Sequence, residues 1–130
     1  ERQTRFFLLN NLIWVWNGQR ADWYVGDDMY DIISADVYVD TGNQNSQINT
    51  FLQMKSISSQ KIVAMSECAN SPNPNFMLRD KAMWSWFGVW CGEYIMDSSG
   101  KLSEEYATKR QLIDAYSHEN VITFEQLPDF

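Results

Sequence analysis

Three polar side chains with chemical potential follow two apolar runs of the sequence. Glu67 comes directly after Lys61–Ser66 (KIVAMS), while Asp36 and Tyr38 lie at the end of Asp31–Tyr38 (DIISADVY). Residues two apart on a strand point to the same side, so Asp36 and Tyr38 would share a direction. Glycoside hydrolysis uses carboxyl groups in pairs, and a Tyr hydroxyl can keep one of them ionised and aimed. The three residues therefore form a candidate carboxylate site.

Each of these residues also has an ordinary structural explanation. An acid just past a strand, such as Glu67, often caps a helix or lies at the surface. A Tyr such as Tyr38 often makes a structural hydrogen bond, and an Asp such as Asp36 often closes a loop. The residues alone leave both explanations open.

The elements that would position these side chains alternate along the chain. Apolar runs predict strands over Leu12–Trp16, Asp31–Tyr38, Lys61–Ser66 and Ala82–Trp90. Amphipathic spacing predicts helices over Ser46–Ile57 and Ser103–His118, each with its Ser as a possible N-cap, and NSPNPN reads as a loop. Nearly continuous apolar strands that alternate with helices indicate parallel βα units.

The chain contains four such units, half the number in a β/α barrel. An eight-stranded β/α barrel needs roughly 250 residues, and this chain has 130. The pattern therefore predicts either a small open α/β sheet or the second half of a barrel, and the helix-like start at Glu1 favours the barrel half. Barrels carry their sites at the carboxyl ends of the strands, which here are Trp16–Asn17, Asp36–Tyr38 and Glu67.

Charge and composition exclude several functions. The net charge of −7 and the pI near 4.5 argue against nucleic acid or an anionic membrane surface as partner. No apolar stretch is long enough to span a membrane. One His and two widely spaced Cys make a zinc site improbable, and Asp27, Asp28 and Asp31 lack calcium-loop spacing, so neither a metal nor a cofactor is expected. Whether Cys68 and Cys91 pair stays open.

Aromatic residues are abundant, with six Trp, six Tyr and seven Phe. Most of them are expected in the core, yet flat rings with polar tips also suit the apolar faces of sugars. Trp16 with Asn17 at the first strand end, and Trp23 in the loop that follows, are therefore candidate substrate contacts. A non-catalytic glycan-binding module with Trp23 and Trp86 as platforms is an alternative that the composition leaves open.

Several segments together carry a family resemblance: LIWVWN, DWYVGDDMYDIISADVY, KIVAMSECA, AMWSWFGVW and VITFEQLP. In this order they resemble the C-terminal half of a glycoside hydrolase family 26 β-mannanase. The resemblance implies a (β/α)8 barrel, with residues 1–130 as part of one catalytic domain and the four strands as barrel strands five to eight. It further implies retaining hydrolysis of β-1,4-mannosidic bonds by two glutamates, at the ends of strands four and seven.

On that resemblance each candidate residue takes a role. Glu67 would be the nucleophile at the end of strand seven, and Tyr38 its hydrogen-bond partner. Asp36 would line the same subsite, and Trp86 would be the sugar platform on strand eight.

The resemblance also implies what lies outside this chain. The acid/base Glu of strand four has no counterpart before Leu12, so an N-terminal barrel half is the expected partner, and 1–130 alone is expected to be an inactive fragment. The substrate would be β-mannan, and secretion is implied by the family alone. A β-1,3-xylanase or mixed-linkage glucanase specificity remains open within the same resemblance.

Overall fold

A parallel sheet of four strands organises residues 11–128, the part of the chain that the computed structural model describes. Its strands are β1 (Val15–Trp16), β2 (Ile32–Val37), β3 (Ile62–Cys68) and β4 (Phe87–Val89), adjacent in chain order. The helices are α1 (Ile48–Ile57), α2 (Pro74–Asp80) and α3 (Lys109–Tyr116), with short 3-10 helices at Ala21–Trp23, Asp27–Met29, Gly92–Tyr94 and Phe124–Gln126. Because all four strands are parallel, their C-terminal ends meet at one edge of the sheet, here named the carboxyl edge.

The core lies between the two central strands and the helices. Alternate side chains of β2 and β3 face this core, and they pack with residues of α1 and α2: Ile33, Ala35, Val37, Val63, Met65, Cys68, Phe51, Met54 and Met77. The opposite face carries small side chains, since Ser34 and Ala64 are also buried. Large apolar side chains thus fill the helix-facing side, and small ones leave room on the other side.

The two predicted helices begin later than the sequence suggested. α1 starts at Ile48, and the hydroxyl of Ser46 donates to Asp80 of α2 instead of capping. α3 starts at Lys109, where Thr108 and Gln111 form a reciprocal capping box, so the prediction of Ser103 as N-cap is wrong. The capping box satisfies two backbone N–H groups at the start of α3, whereas Ser103, five residues before Thr108, satisfies neither of them.

Helix α2 was missed because its Pro and Asn residues resemble loop sequence. Pro74 occupies the first helical position, where its missing N–H costs nothing, and Asn73 caps the helix by accepting from the Asn75 N–H. After α2, Trp84 is buried, and its Nε1–H donates to the Ser46 carbonyl at 2.8 Å. The fourth strand is accordingly shorter than the predicted Ala82–Trp90.

The acidic segment before β2 closes a loop through Asp27. The hydroxyls of Tyr30 and Ser58 both donate to Asp27, and these bonds, led by that from Ser58, lower the pKa of the Asp27 carboxyl. Within residues 11–128, no cluster of His, Cys, Asp and Glu is arranged to hold a metal ion, and no helix could cross a membrane. The predicted helix at Glu1 lies outside the described residues.

Candidate active site

Glu67 and Tyr38 meet at the carboxyl edge, although 29 residues separate them in the chain. The Tyr38 hydroxyl donates a hydrogen bond to Oε2 of Glu67 at 2.8 Å. Burial, this hydrogen bond and the negative charge of Glu67 all raise the pKa of Tyr38. The phenol therefore remains a donor at neutral pH, and it fixes one oxygen of a carboxylate while the other stays available.

A β-bulge in β3 aims Glu67 at this edge. The pairing register of β2 and β3 is regular up to Ala35 and Met65. The next residue of β2, Asp36, pairs with Glu67, so Ser66 is an extra residue in β3. Unbroken alternation from Val63 and Met65 would turn Glu67 into the core against the helices. The extra residue instead gives that core position to Cys68, and it turns Glu67 to the opposite face, towards Tyr38.

Gly88 of β4 accommodates the bulge. A Cβ atom at Gly88 would lie 2.8 Å from the Ser66 carbonyl oxygen, closer than real Cβ contacts allow. A residue with a side chain would therefore push Ser66 away, and with it the backbone that carries Glu67. Gly88 is thus a structural requirement of the site that sequence reading did not identify.

Asp36 takes part in a closed set of hydrogen bonds with the loop after β1. Its Oδ1 accepts from the Asn17 amide at 2.9 Å, and its backbone N–H donates to Oε1 of Gln19 at 3.1 Å. Gln19 in turn donates to Oδ1 of Asn17 at 2.7 Å. The structure therefore brings Asn17 and Asp36 together beside Glu67, and it adds Gln19, which the sequence did not single out.

Trp16 and Trp23 lie in different surroundings. The Trp16 ring stacks on Tyr30 and meets the edge of Tyr24, each with centroids 5.9 Å apart, so its contacts are those of a packed ring. Trp23 is 61% exposed and lies under the Arg20 guanidinium, 5.5 Å from ring centre to Cζ. Of these two tryptophans, Trp23 is the one that presents a broad aromatic surface to solvent.

Trp86 does not lie with Glu67 and Tyr38. It precedes β4, where its carbonyl accepts from the Met65 N–H, and its ring lines a cavity between α2 and residues 116–122 that neither Glu67 nor Tyr38 lines. Trp90 is the tryptophan that follows the C-terminal end of β4, anchored by its N–H to the Cys68 carbonyl at 2.9 Å. The sequence analysis named Trp86 as a platform within a strand of Ala82–Trp90, whereas the structure has a shorter strand, Phe87–Val89, and Trp86 lies before its N-terminal end.

The two cysteines are unpaired. Cys68 is buried in the core, and burial raises the pKa of its thiol to about 12, which removes it as a nucleophile at neutral pH. Cys91 is exposed. The Cys68 thiol, next to Glu67 in the sequence, therefore does not compete with it for a chemical role.

Sequence comparison assigns the chain to a family. Residues 2–123 match the family model described as glycosyl hydrolase family 26. The chain belongs to glycosyl hydrolase family 26. A mannan endo-1,4-beta-mannosidase of Thermothelomyces thermophilus is 34% identical over 92% of this family 26 chain, and mannan endo-1,4-beta-mannosidase B of Piromyces sp is 34% identical over all of it.

Solved structures agree with this assignment. A beta-mannanase from a symbiotic protist of the termite Reticulitermes speratus, complexed with gluco-manno-oligosaccharide, has a TM-score of 0.79 and 38% identity over 94% of the chain. The GH26-CBM35 beta-(1,4)-mannanase of Podospora anserina has a TM-score of 0.78 and 33% identity over 91% of it. The prediction of a partial (β/α)8 barrel is confirmed by these neighbours and by the parallel sheet.

The family 26 chain matches only part of each relative. It spans 23% of the Thermothelomyces enzyme and 21% of the Piromyces enzyme. It spans 37% of the protist structure and 25% of the Podospora structure. The mannanase activity of these longer proteins is therefore a proposal for this chain.

Proposed function

We propose that this chain is the C-terminal part of the catalytic domain of a retaining endo-β-1,4-mannanase. The observation that carries the proposal is the Tyr38–Glu67 hydrogen bond at the carboxyl edge. Family membership and the relatives named as mannanases support the substrate class. The pairing fits a carboxylate that must keep a fixed direction.

In the first step of the proposed mechanism, the free oxygen of the Glu67 carboxylate attacks the anomeric carbon. The glycosidic C–O bond breaks, and the leaving oxygen takes a proton from a second carboxyl group. The product of this step is a glycosyl ester of Glu67. Water then attacks the same carbon and gives its proton to the second carboxyl group, and Glu67 leaves as a carboxylate.

The second carboxyl group must lie about 5–5.5 Å from Glu67 in a retaining enzyme. On the family resemblance it would belong to a strand before β1, and the described residues before β1, numbers 11–14, contain no acid. Asp36 is level with Glu67, but its Oδ1 accepts from Asn17, which suits a residue that binds a sugar hydroxyl. We therefore assign the acid/base to a preceding barrel half, so that residues 1–130 alone would be inactive.

Aromatic rings at the same edge complete the proposed subsite. Trp90 follows β4 and is 45% exposed, so it replaces Trp86 as the candidate sugar platform. Trp23 remains a candidate contact for a more distant sugar. Asp36 and Asn17 would bind hydroxyl groups of the unit that is cleaved.

The proposed substrate is β-1,4-mannan or glucomannan. The protist relative was solved with a gluco-manno-oligosaccharide, which supports a site that accepts both sugars. Polymeric mannan does not enter cells intact, so hydrolysis would take place outside the cell, in a secreted enzyme.

Covalent labelling tests the role of Glu67 directly. The enzyme that contains this chain is incubated with an activated 2-fluoro-mannoside, which forms the glycosyl ester but hydrolyses slowly, and is then digested with trypsin. The peptide 62–79 contains a single carboxyl side chain, that of Glu67, so a mass increase on this peptide identifies the nucleophile.

Kinetics give the matched control. Glu67→Gln is expected to lower kcat on mannan by roughly 10⁴-fold or more, as for other nucleophiles. Glu119→Gln, at an exposed Glu near the end of α3, should retain full activity. Label on any other peptide, or an active Glu67→Gln enzyme, would contradict the proposal.

A further inference from the structure

The carboxyl edge continues past the Tyr38–Glu67 pair into an open cavity of about 500 Å³. Its lining includes Tyr38, Asp40, Thr41, Tyr94 and Tyr106. Tyr38 is shared by the pair and the cavity, because its hydroxyl bonds to Glu67 and Tyr38 also lines the cavity. The volume falls within the range of small-molecule sites, roughly 300–1,000 Å³.

Three tyrosine rings form a continuous series along this cavity. The Tyr38 and Tyr94 rings meet edge to face with centroids 5.6 Å apart, and those of Tyr94 and Tyr106 lie 4.5 Å apart. All three side chains remain partly or largely exposed. Rings with hydroxyl tips offer a sugar both an apolar face and hydrogen bonds, and the exposed Asp40 adds a carboxylate acceptor for hydroxyl groups.

A buried amide holds the loop that forms one wall of the cavity. The Asn70 side chain is 3% exposed, and its Nδ2 donates to the carbonyls of Val39 and Asp40 at 3.3 and 3.0 Å. Its Oδ1 accepts from the Gly42 N–H at 3.0 Å, and the same N–H also bonds to the carbonyl of Tyr106. The wall is thus ordered before any ligand binds, which lowers the entropic cost of binding.

We propose that this cavity, the tyrosine subsite, binds a mannosyl unit of the same polysaccharide chain beyond the unit that Glu67 attacks. The proposal rests on the proposed mannanase function, because it takes its ligand from that reaction. Tyr94 and Tyr106 supply the stacking surface, and Asp40 binds hydroxyl groups. Since the subsite shares Tyr38 with the nucleophile, a chain occupying it is held in line with the bond to be cleaved.

The dependence of kcat/KM on substrate length tests this subsite. The complete enzyme is compared with Tyr94→Ala/Tyr106→Ala on β-1,4-mannohexaose and on mannotriose. The double variant is expected to lose about tenfold more kcat/KM on the hexaose than on the triose, because only the longer substrate fills the subsite. Phe124→Ala, which removes an exposed aromatic ring elsewhere, is the matched control and should change both substrates equally.

A structural role for the tyrosines gives a different result. If they only support Tyr38, the double variant loses the same factor on both substrates, and the subsite proposal is wrong. Tyr94→Phe/Tyr106→Phe keeps the rings and should therefore retain most of the wild-type preference for the hexaose over the triose. This variant serves as the test if the Ala variant folds poorly. A wild-type enzyme inactive on both substrates would instead refute the mannanase function itself, which separates the two failures.

Discussion

The central and outer strands of the sheet differ in length, pairing and burial. β2 and β3 pair along six positions, and their core side chains, such as Ile33, are fully buried. β1 contributes only two residues, and Ile13 just before it is 73% exposed. The Tyr38–Glu67 pair lies at the end of the central strands, so the proposed chemistry is attached to the best-supported part of the molecule.

The difference also shows what the outer strands contribute. Their backbone edges and exposed apolar side chains are suited to further pairing, whereas their loops carry Asn17, Gln19 and Trp90 around the site. The centre thus supplies rigidity, and the margins supply contacts.

Truncation of one isoleucine in each region is the strongest test of this contrast. Ile33→Ala should lower the free energy of unfolding by about 2–5 kcal/mol, because it empties a buried position. Ile13→Ala in the same 130-residue chain should change it by only about 0.5 kcal/mol, since the side chain is already solvated. Urea unfolding measures both, and equal losses would show that the margin is as tightly packed as the centre.

Tyr38→Phe tests whether the central pair carries chemistry. The variant keeps the ring but removes the hydrogen bond to Glu67, and hydrogen bonds to charged groups contribute about 1.5–3 kcal/mol. We expect kcat of the complete enzyme to fall roughly 10- to 100-fold with little change in thermal stability. Unchanged kcat would mean that the carboxylate is held in place without the phenol.

Gly88→Ala tests the contribution of an outer strand to the site. The added Cβ clashes with the Ser66 carbonyl oxygen, so the bulge shifts and the Glu67 carboxylate moves away from Tyr38. A loss of about tenfold in kcat is expected, equivalent to about 1.4 kcal/mol. Gly100→Ala is the control: its Cβ has open space but its φ of +78° is strained, so it reduces stability without touching Ser66. Similar kcat losses in both variants would argue against the bulge.

Acid titration gives the smallest effect, in the layer of helices over the centre. The bonds from Arg79 and from Ser46 lower the pKa of Asp80 to about 2, below its ordinary 3.8. A lowered folded-state pKa stabilises the protein above about pH 4, and this contribution is lost as pH falls towards 2. Asp80→Asn should therefore be slightly less stable at pH 7 and lose less stability between pH 4 and pH 2. Parallel urea curves at the two pH values check this.

Sequence reading predicted the order of strands well, since continuous apolar runs such as Lys61–Ser66 have few alternative explanations. It also brought Glu67, Tyr38 and Asp36 to one edge, because parallel strands end together. It did not predict that Trp86 precedes β4, since an apolar run such as AMWSWFGVW does not reveal where pairing begins. It also missed α2, whose Pro and Asn residues are typical of both loops and helix starts.

The bulge was beyond sequence reading for a different reason. Alternation along β3 gives Glu67 the same parity as Met65, and only the three-dimensional pairing reveals the extra Ser66. Gln19 was missed in the same way, because its bonds to Asn17 and Asp36 and its positive φ of 60° appear only in the folded loop. Local patterns do not encode such exceptions.

The extra residue at Ser66 has a consequence for engineering. Regular alternation that kept Ser66 in the strand, without the bulge, would exchange the environments of Glu67 and Cys68: a carboxylate would enter the apolar core, and a thiol would take its place on the face of Tyr38. A graft of this strand into another barrel must therefore bring Ser66 together with a glycine at the Gly88 position of the neighbouring strand. The two residues, distant in the chain, together preserve the direction of Glu67 at the carboxyl edge.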